Sequence, residues 1–135
     1  MTIIETDYWC LMLPAEWSAE KSEDVVLITD HDGVGELAVT TLVRDPGASE
    51  DVGAINVARE ESPEVVAWSS AEFGCFSGFT GRFEEGNSVI QEWYLAFGDA
   101  LIYVTYTCGT ENDGLDAAAV DDILATLVAG DALTA

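Results

Sequence analysis

The chain has 135 residues, which is room for one domain, and 49% of them are hydrophobic, which is enough to build a core unaided. Its 26 acidic and 4 basic residues give a formal charge of −22. A surface this negative repels nucleic acid and anionic membrane surfaces, and no apolar run approaches the roughly 20 residues that span a bilayer. The first ten residues, MTIIETDYWC, carry acids where a signal peptide carries bases, so we predict a cytoplasmic location.

The acidity has two interpretations. It favours solubility in a salt-adapted organism, or it favours binding of a basic partner. The acids are scattered along the chain and the single lysine is Lys21, which suits the first interpretation. Both remain open at this point.

The first half of the chain predicts strands. Residues 7–13 form a first strand that Pro14 ends, and Trp17 follows as an anchor. Residues 25–29 (VVLIT) and 36–43 (ELAVTTLV) flank an Asp-Gly pair and are typical of a β-hairpin.

A weak helix and then a strand follow. Ser49 is a suitable N-cap and Pro63 a suitable end for the helix. Residues 73–83 (FGCFSGFTGRF) alternate with a period of two and predict one strand, with Phe73 and Phe76 on opposite faces. Its glycines indicate a bulge or a close neighbour.

The segment 88–108 (SVIQEWYLAFGDALIYVTYTC) predicts two strands that reverse at Gly98-Asp99. A two-residue turn gives one apolar face and one amphipathic face. The expected apolar pairs are Phe97–Ala100, Leu95–Ile102 and Trp93–Val104, and the amphipathic pairs are Ala96–Leu101, Tyr94–Tyr103 and Glu92–Thr105.

The clearest helical pattern lies near the end of the sequence. An apolar stripe at helical spacing runs over Val120, Ile123, Leu124, Leu127 and Val128, with Gly130 as the expected C-cap. Such a helix packs on the apolar face of the hairpin. The order of elements predicts an α+β class: one domain over residues 1–135, with an antiparallel sheet of about six strands and helices packed on it as a sandwich.

Three features together resemble a known superfamily. They are Leu13, Pro14 and Trp17 after the first strand, the long hairpin ending in IYVTYTC (102–108), and the closing amphipathic helix. This pattern resembles the PsbP-like superfamily, which includes photosystem oxygen-evolving subunits, a Ran-binding nuclear transport factor and bacterial chaperones of type VI secretion effectors. The resemblance implies the sandwich fold in a bacterial member, and a non-catalytic binding or adaptor role.

The residues with catalytic or metal-binding chemistry form no recognisable set. The cysteines Cys10, Cys75 and Cys108 have no CxxC spacing and are typical of packed strand residues. His31 lies in a hairpin turn with Asp30 and lacks the spacing of a calcium loop. We therefore predict no catalytic residues, no cofactor and no metal, and thus no enzyme. The arginines Arg44, Arg59 and Arg82 are expected to pair with nearby carboxylates, although they are also able to clamp an anion.

The sequence thus predicts a non-catalytic protein-binding, adaptor or chaperone-like domain. Its candidate partner-binding residues are Tyr94, Tyr103 and Phe76, since aromatic residues with a polar group are favoured at interfaces. The alternatives are an immunity-type protein that neutralises a basic partner, and a small-ligand binder with a pocket between sheet and helix. Burial of the two tyrosines under the first helix would favour a structural role for them.

Overall fold

In the computed structural model, residues 2–22, 25–31, 33–43, 58–97 and 100–130 are described. The strands of this part are β1 Thr2–Glu5, β2 Trp9–Leu13, β3 Trp17–Lys21, β4 Val25–Asp30, β5 Gly35–Val43, β6 Ser69–Phe73, β7 Phe76–Glu85, β8 Ser88–Phe97, β9 Ala100–Gly109 and β10 Val128–Ala129. The helical elements are a helical turn at 58–61, a 3₁₀ helix Thr110–Asn112 and the helix α1 Ala117–Leu124.

The strands form two antiparallel sheets. The large sheet has seven strands in the order β3-β4-β5-β9-β8-β7-β6, and the small sheet has the order β1-β2-β10. The predicted α+β antiparallel sandwich is confirmed, with seven strands in the main sheet where about six were expected. None of the helices in the described ranges has the length and apolar composition needed to cross a membrane.

The β8–β9 hairpin lies at the middle of the large sheet, as predicted. Its register pairs Leu95 with Ile102 and Tyr94 with Tyr103, and the other four expected pairs also form. Residues 98–99 of the predicted turn lie outside the described residues. The alternation of side chains along these strands then defines a first face, which carries Trp93 and Leu95, and a second face, which carries Tyr94.

The first face holds the main core. The small sheet and α1 cover it, and the largest fully buried side chains include Trp9, Leu11 and Ile123. The indole Nε1 of Trp9 donates a hydrogen bond to Oγ1 of Thr41 on β5 at 2.8 Å, which ties the small sheet to the large one. The predicted packing of the closing helix on the hairpin's apolar face is confirmed, because Ile123 shares this core with Trp93.

The second face carries a smaller core. Ala58 of the helical turn packs with Tyr94, Ala96 and Leu101, and Trp68 lies at its edge. A Cβ added to Gly81 of β7 would lie 2.4 Å from Cγ1 of Val65, so this glycine allows the 65–68 segment to lie directly on the sheet.

Three short strands were not predicted from the sequence. The predicted strand 7–13 begins at Trp9, and β1, β3 and β10 were not predicted. Each has five residues or fewer, and the burial of β1 and β3 is confined to Ile4 and Trp17. Such segments have too few alternating residues to reveal a strand.

The predicted single strand 73–83 is wrong, because it contains a turn. Gly74 has a φ of +61°, a conformation that suits glycine, and it separates β6 from β7. Phe73 and Phe76 pair directly across this hairpin and share the first face, whereas the unbroken alternation put them on opposite faces.

The closing helix is shorter than predicted. It ends at Leu124, Leu127 is buried beyond it, and Val128 lies in β10 with 53% exposure. The hydroxyl of Thr126 donates to the carbonyl of Ile123 at 2.7 Å, which competes with continuation of the helix. The amide of Gly130 donates to the carbonyl of Tyr8 at 2.9 Å, so this glycine follows a strand and does not cap a helix.

The predicted helix between Ser49 and Pro63 is described only from residue 58. Residues 58–61 are helical, and the amide of Ser62 donates to the carbonyl of Ala58 at 2.9 Å. Ser49 and the start of the predicted helix lie outside the described residues.

Candidate functional site

Two tyrosines of the central hairpin lie together on the second face. Tyr94 of β8 is opposite Tyr103 of β9, with ring centroids 4.8 Å apart and ring planes inclined by 37°. The ring of Trp68 meets Tyr94 edge-on at 5.7 Å. These three aromatic side chains belong to the smaller apolar cluster of the second face.

Tyr94 is buried and held by a polar contact. Its side chain is 2% exposed, and its hydroxyl forms a 2.9 Å hydrogen bond with Oγ of Ser62, which is buried after the helical turn. Burial raises the pKa of Tyr94, and the negative charges of Glu92 and Glu61 add to the effect. The hydroxyl therefore stays neutral at physiological pH.

Tyr103 is half-buried and connects the surface to a carboxylate underneath. Its hydroxyl donates to Oε2 of Glu92. Burial and this hydrogen bond raise the pKa of Tyr103 far above its usual range. Tyr103 thus acts as a hydrogen-bond donor to Glu92 at all physiological pH values.

Glu92 is the buried acid of the sheet. Its side chain is 3% exposed, and its Oε1 has no hydrogen-bond partner among the described residues. Burial of an ionised carboxylate costs free energy unless its oxygens are satisfied. Only one of the two oxygens is satisfied here, by Tyr103.

An open depression lies over this cluster. Its volume is about 400 Å³, and Leu42, Glu61, Tyr94 and Tyr103 line it. This size is within the range of ligand-binding pockets. The described lining residues combine aromatic rings, an aliphatic side chain and a carboxylate, and none of them is basic.

The structure separates the three predicted partner-binding residues. Tyr94 and Tyr103 share the depression, but Phe76 lies on the first face, is fully buried and meets Phe97 edge-on at 5.8 Å. Phe76 is therefore a core residue, because the turn at Gly74 shifts the alternation that had placed it on a surface. The alternative, in which the first helix covers both tyrosines, is observed in part, since the helical turn 58–61 and Ser62 cover Tyr94 while Tyr103 remains accessible.

Glu61 and Glu92 were not predicted as site residues. Glu92 carried a signal, since it is an acid between Ile90 and Tyr94 on one face of the strand. Glu61 carried none, because one acid among 26 is not distinctive and its contact with the sheet is a tertiary feature.

A second cavity lies between the large sheet and α1. Its volume is about 120 Å³, and its walls include Val89, Trp93, Cys108 and Val120. At its rim, Nη2 of Arg82 lies 2.6 Å from Oδ2 of Asp113, and both side chains are substantially exposed. This cavity corresponds in position to the predicted pocket between sheet and helix.

The basic side chains leave most of the acidic surface uncompensated. In the described ranges, Arg82 with Asp113 is the one ion pair, and Nζ of Lys21 donates to the backbone carbonyl of Glu5 at 2.8 Å. Arg59 is exposed, and Arg44 lies outside the described residues. The expectation that arginines pair with carboxylates is confirmed for Arg82.

The cysteines and the histidine are dispersed. Cys10 lies on β2, Cys75 is exposed in the turn after Gly74, and Cys108 is buried on β9, where burial raises its pKa. His31 is exposed, and the nearby Oδ1 of Asp30 accepts a hydrogen bond from the amide of Gly33 at 2.9 Å. Within the part of the chain that the structure describes, no three metal-ligating side chains lie together.

Comparison with known proteins identifies similar folds. No protein-family model matches the sequence, and no curated protein has a matching sequence. A crystal structure from Bacteroides thetaiotaomicron VPI-5482 superimposes with a TM-score of 0.65 at 21% identity, over 90% of this chain and 44% of that one. This chain thus spans less than half the length of that protein.

A second similar structure is a PsbP protein. It is the solution structure of the cyanobacterial PsbP protein CyanoP from Synechocystis sp. PCC 6803, with a TM-score of 0.65, 11% identity, and coverage of 95% of this chain and 91% of that one. Identities this low establish the architecture alone. The predicted resemblance is confirmed at that level: the chain has a PsbP-like fold.

Proposed function

We propose that this protein is a non-catalytic, adaptor- or chaperone-like module that binds a basic protein partner. The observation that carries the proposal is the uncompensated acidic charge. There are 26 acidic and 4 basic residues, and one ion pair, Arg82–Asp113, joins the two classes in the described part of the chain. Because four basic residues cannot balance 26 acidic ones, most of the carboxylates are available to interact with cations in solution or on another protein.

A field of this strength acts over several ångströms. At physiological ionic strength the Debye length is about 8 Å, so charges on one face reinforce one another and attract a basic surface. Such attraction raises the rate of association and suppresses binding of acidic proteins. An immunity-type protein that neutralises a basic toxin is one form of this function.

The depression on the second face supports a protein partner over simple solubility. Salt adaptation explains exposed carboxylates, but it gives no reason for the half-buried Tyr103 beside the exposed Glu61. Tyrosine is enriched where protein interfaces contribute most of their binding energy.

Affinity capture from the source lysate tests the proposal. We expect the immobilised full chain to retain a protein of high isoelectric point at 0.1 M NaCl and to release it at 1 M NaCl, because the Debye length falls to about 3 Å. A charge-matched acidic protein on the same matrix is the control for ion exchange. Retention of the same proteins by both matrices, or of no basic protein, would contradict the proposal.

A second candidate function is the binding of a small ligand between the sheet and α1. The cavity of about 120 Å³ supports it, since Trp93 and Val120 offer apolar walls and Arg82 lies at the rim. The volume limits a ligand to a few non-hydrogen atoms. Replacement of Val120 by Phe fills this cavity, so it would abolish small-ligand binding and leave retention of the basic protein unchanged.

A further inference from the structure

The depression on the second face has one carboxyl group in its lining and a second behind it, and none of its described lining residues is basic. Glu61 lines it directly, and Glu92 lies behind Tyr103, whose ring lines the depression and whose hydroxyl donates to Glu92. Among the described residues, neither carboxylate has a lysine or arginine partner. We propose that this depression binds the cationic side chain of a lysine or arginine that the basic partner presents. The inference rests on the proposed function and identifies where its specificity lies.

The buried Glu92 places a carboxyl group directly behind Tyr103. Its side chain is 3% exposed, and electrostatic interactions are stronger in such a low-dielectric environment than at the protein surface. Its Oε1 has no hydrogen-bond partner among the described residues, so the cost of burying this carboxyl group is only partly compensated. A cation bound over Tyr103 would offset part of the cost of burying Glu92.

The two tyrosines supply a cation-binding surface. Tyr94 is 2% exposed and stacks on Tyr103 with a centroid distance of 4.8 Å and a tilt of 37°, so Tyr103 offers the accessible aromatic face and Tyr94 supports it from behind. Because the hydroxyl of Tyr103 donates to a carboxylate, electron density on its ring increases, and this strengthens attraction for a cation. Ammonium and guanidinium groups bind aromatic faces in this way.

The remaining lining residues suit the two chemical parts of a lysine or arginine side chain. Leu42 offers an aliphatic contact for the methylene stem, and the exposed Glu61 offers an acceptor for the charged group. A metal ion is a poor match, since hard cations take six or more oxygen ligands, and no three acidic, histidine or cysteine side chains converge within the described ranges.

A titration with a lysine analogue tests the pocket without a partner. The probe is Nα-acetyl-lysine methylamide, and the matched neutral probe is Nα-acetyl-norleucine methylamide. NMR of the full chain with labelled tyrosine rings should show shifts at Tyr94 and Tyr103, with the lysine probe binding about fivefold or more tightly than the norleucine probe. Equal binding of the two probes, or shifts confined to other tyrosines, would overturn the proposal.

Matched variants locate the binding. Glu61→Gln should weaken binding of the lysine probe about twofold to fivefold. Glu60→Gln makes an equal charge change on the same helical turn and should leave that binding unchanged. Tyr103→Leu and Glu92→Gln should each weaken it about fivefold or more. If the buried variants fail to fold, the Glu61 and Glu60 pair still decides the matter, and equal effects of these two would count against the pocket.

The captured basic partner separates this proposal from the proposed function. Glu61→Gln and Tyr103→Leu should weaken its binding more than Glu60→Gln does. Salt-sensitive binding that none of these variants changes would refute the pocket and leave the proposed function intact. Probe binding without any basic partner would refute the proposed function and indicate a free amine as the occupant, which contradicts docking of a partner side chain.

Discussion

At the residue scale, the two faces of the central hairpin differ in how much each aromatic side chain contributes to stability. Trp93 on the first face is 2% exposed within the main core, whereas Tyr103 on the second face is half-buried at the edge of the depression. Tyr94 is intermediate in role, because it is buried but belongs to the smaller cluster.

Replacement of these aromatics should therefore have unequal costs. Trp93→Ala should lower the free energy of unfolding by about 3–5 kcal/mol, since it leaves a large cavity, and Tyr103→Ala should lower it by less. Urea denaturation of both variants measures the difference. Equal losses would show that Tyr103 is as much a part of the core as Trp93.

Three tyrosine hydroxyls give stability a dependence on alkaline pH. Burial raises the pKa of Tyr94, Tyr103 and Tyr106, and the hydroxyl of Tyr106 also donates to Oδ2 of Asp116 at 2.5 Å. A folded-state pKa above the unfolded value contributes stability below that value and loses it as pH rises. The free energy of unfolding should thus fall above about pH 10.

The variant Tyr106→Phe isolates one of these hydroxyls. Its free energy of unfolding should fall less between pH 8 and pH 11 than that of the parent chain, because the phenyl ring has no hydroxyl proton to release. Denaturation at the two pH values checks this, and an identical pH dependence in both proteins would show that Tyr106 does not contribute.

At the element scale, the end of the chain is organised by pairing with β2. The amide of Met12 on β2 donates a hydrogen bond to Oγ1 of Thr126 at 2.8 Å. Val128 of β10 then pairs with Cys10 of β2. A strand pairing that forms only in the folded chain thus overrides the helical spacing of the sequence, and Leu127 becomes buried through a turn instead of through a helix.

Substitutions of the adjacent residues Leu127 and Val128 should have very different effects on stability. Leu127→Ala should lower the free energy of unfolding by about 2–5 kcal/mol, because Leu127 is 1% exposed in the main core. Val128→Ala should change it by less than about 0.5 kcal/mol, because Val128 is largely exposed. A loss below about half a kcal/mol for Leu127→Ala would remove this segment from the core.

The elements show which features a sequence reveals. The β8–β9 hairpin has ten residues in each strand, so its alternation specified both the register and the faces. The turn at Gly74 was hidden because the alternation from Phe73 to Phe83 can be read straight through it. The depression was found in part: the tyrosines follow from the hairpin register, whereas Glu61 reaches the sheet only through the tertiary fold.

At the scale of the whole molecule, the net charge opposes the compact state. A formal charge of −22 on 135 residues produces self-repulsion that salt relieves. The melting temperature should therefore rise between 0.1 M and 1 M KCl, as the Debye length falls from about 10 Å to about 3 Å. Calorimetry across this range measures the effect, and a constant melting temperature would show that bound cations already neutralise the acids.

Charge and fold together support the proposed binding role. The PsbP-like sandwich buries the first face under the small sheet and α1, while the second face keeps Tyr103 and Glu61 accessible in a strongly negative field. Affinity for a basic partner should then fall as salt is added, because salt screens the attraction between the acidic surface and the partner.

The most direct test of this account is the dissociation constant of the purified captured partner, measured by titration calorimetry at 0.1 M and 0.5 M NaCl. The account predicts weaker binding at 0.5 M salt, with a further loss for Glu61→Gln relative to Glu60→Gln at both concentrations. Binding of equal strength at the two salt concentrations would contradict recognition through the acidic surface.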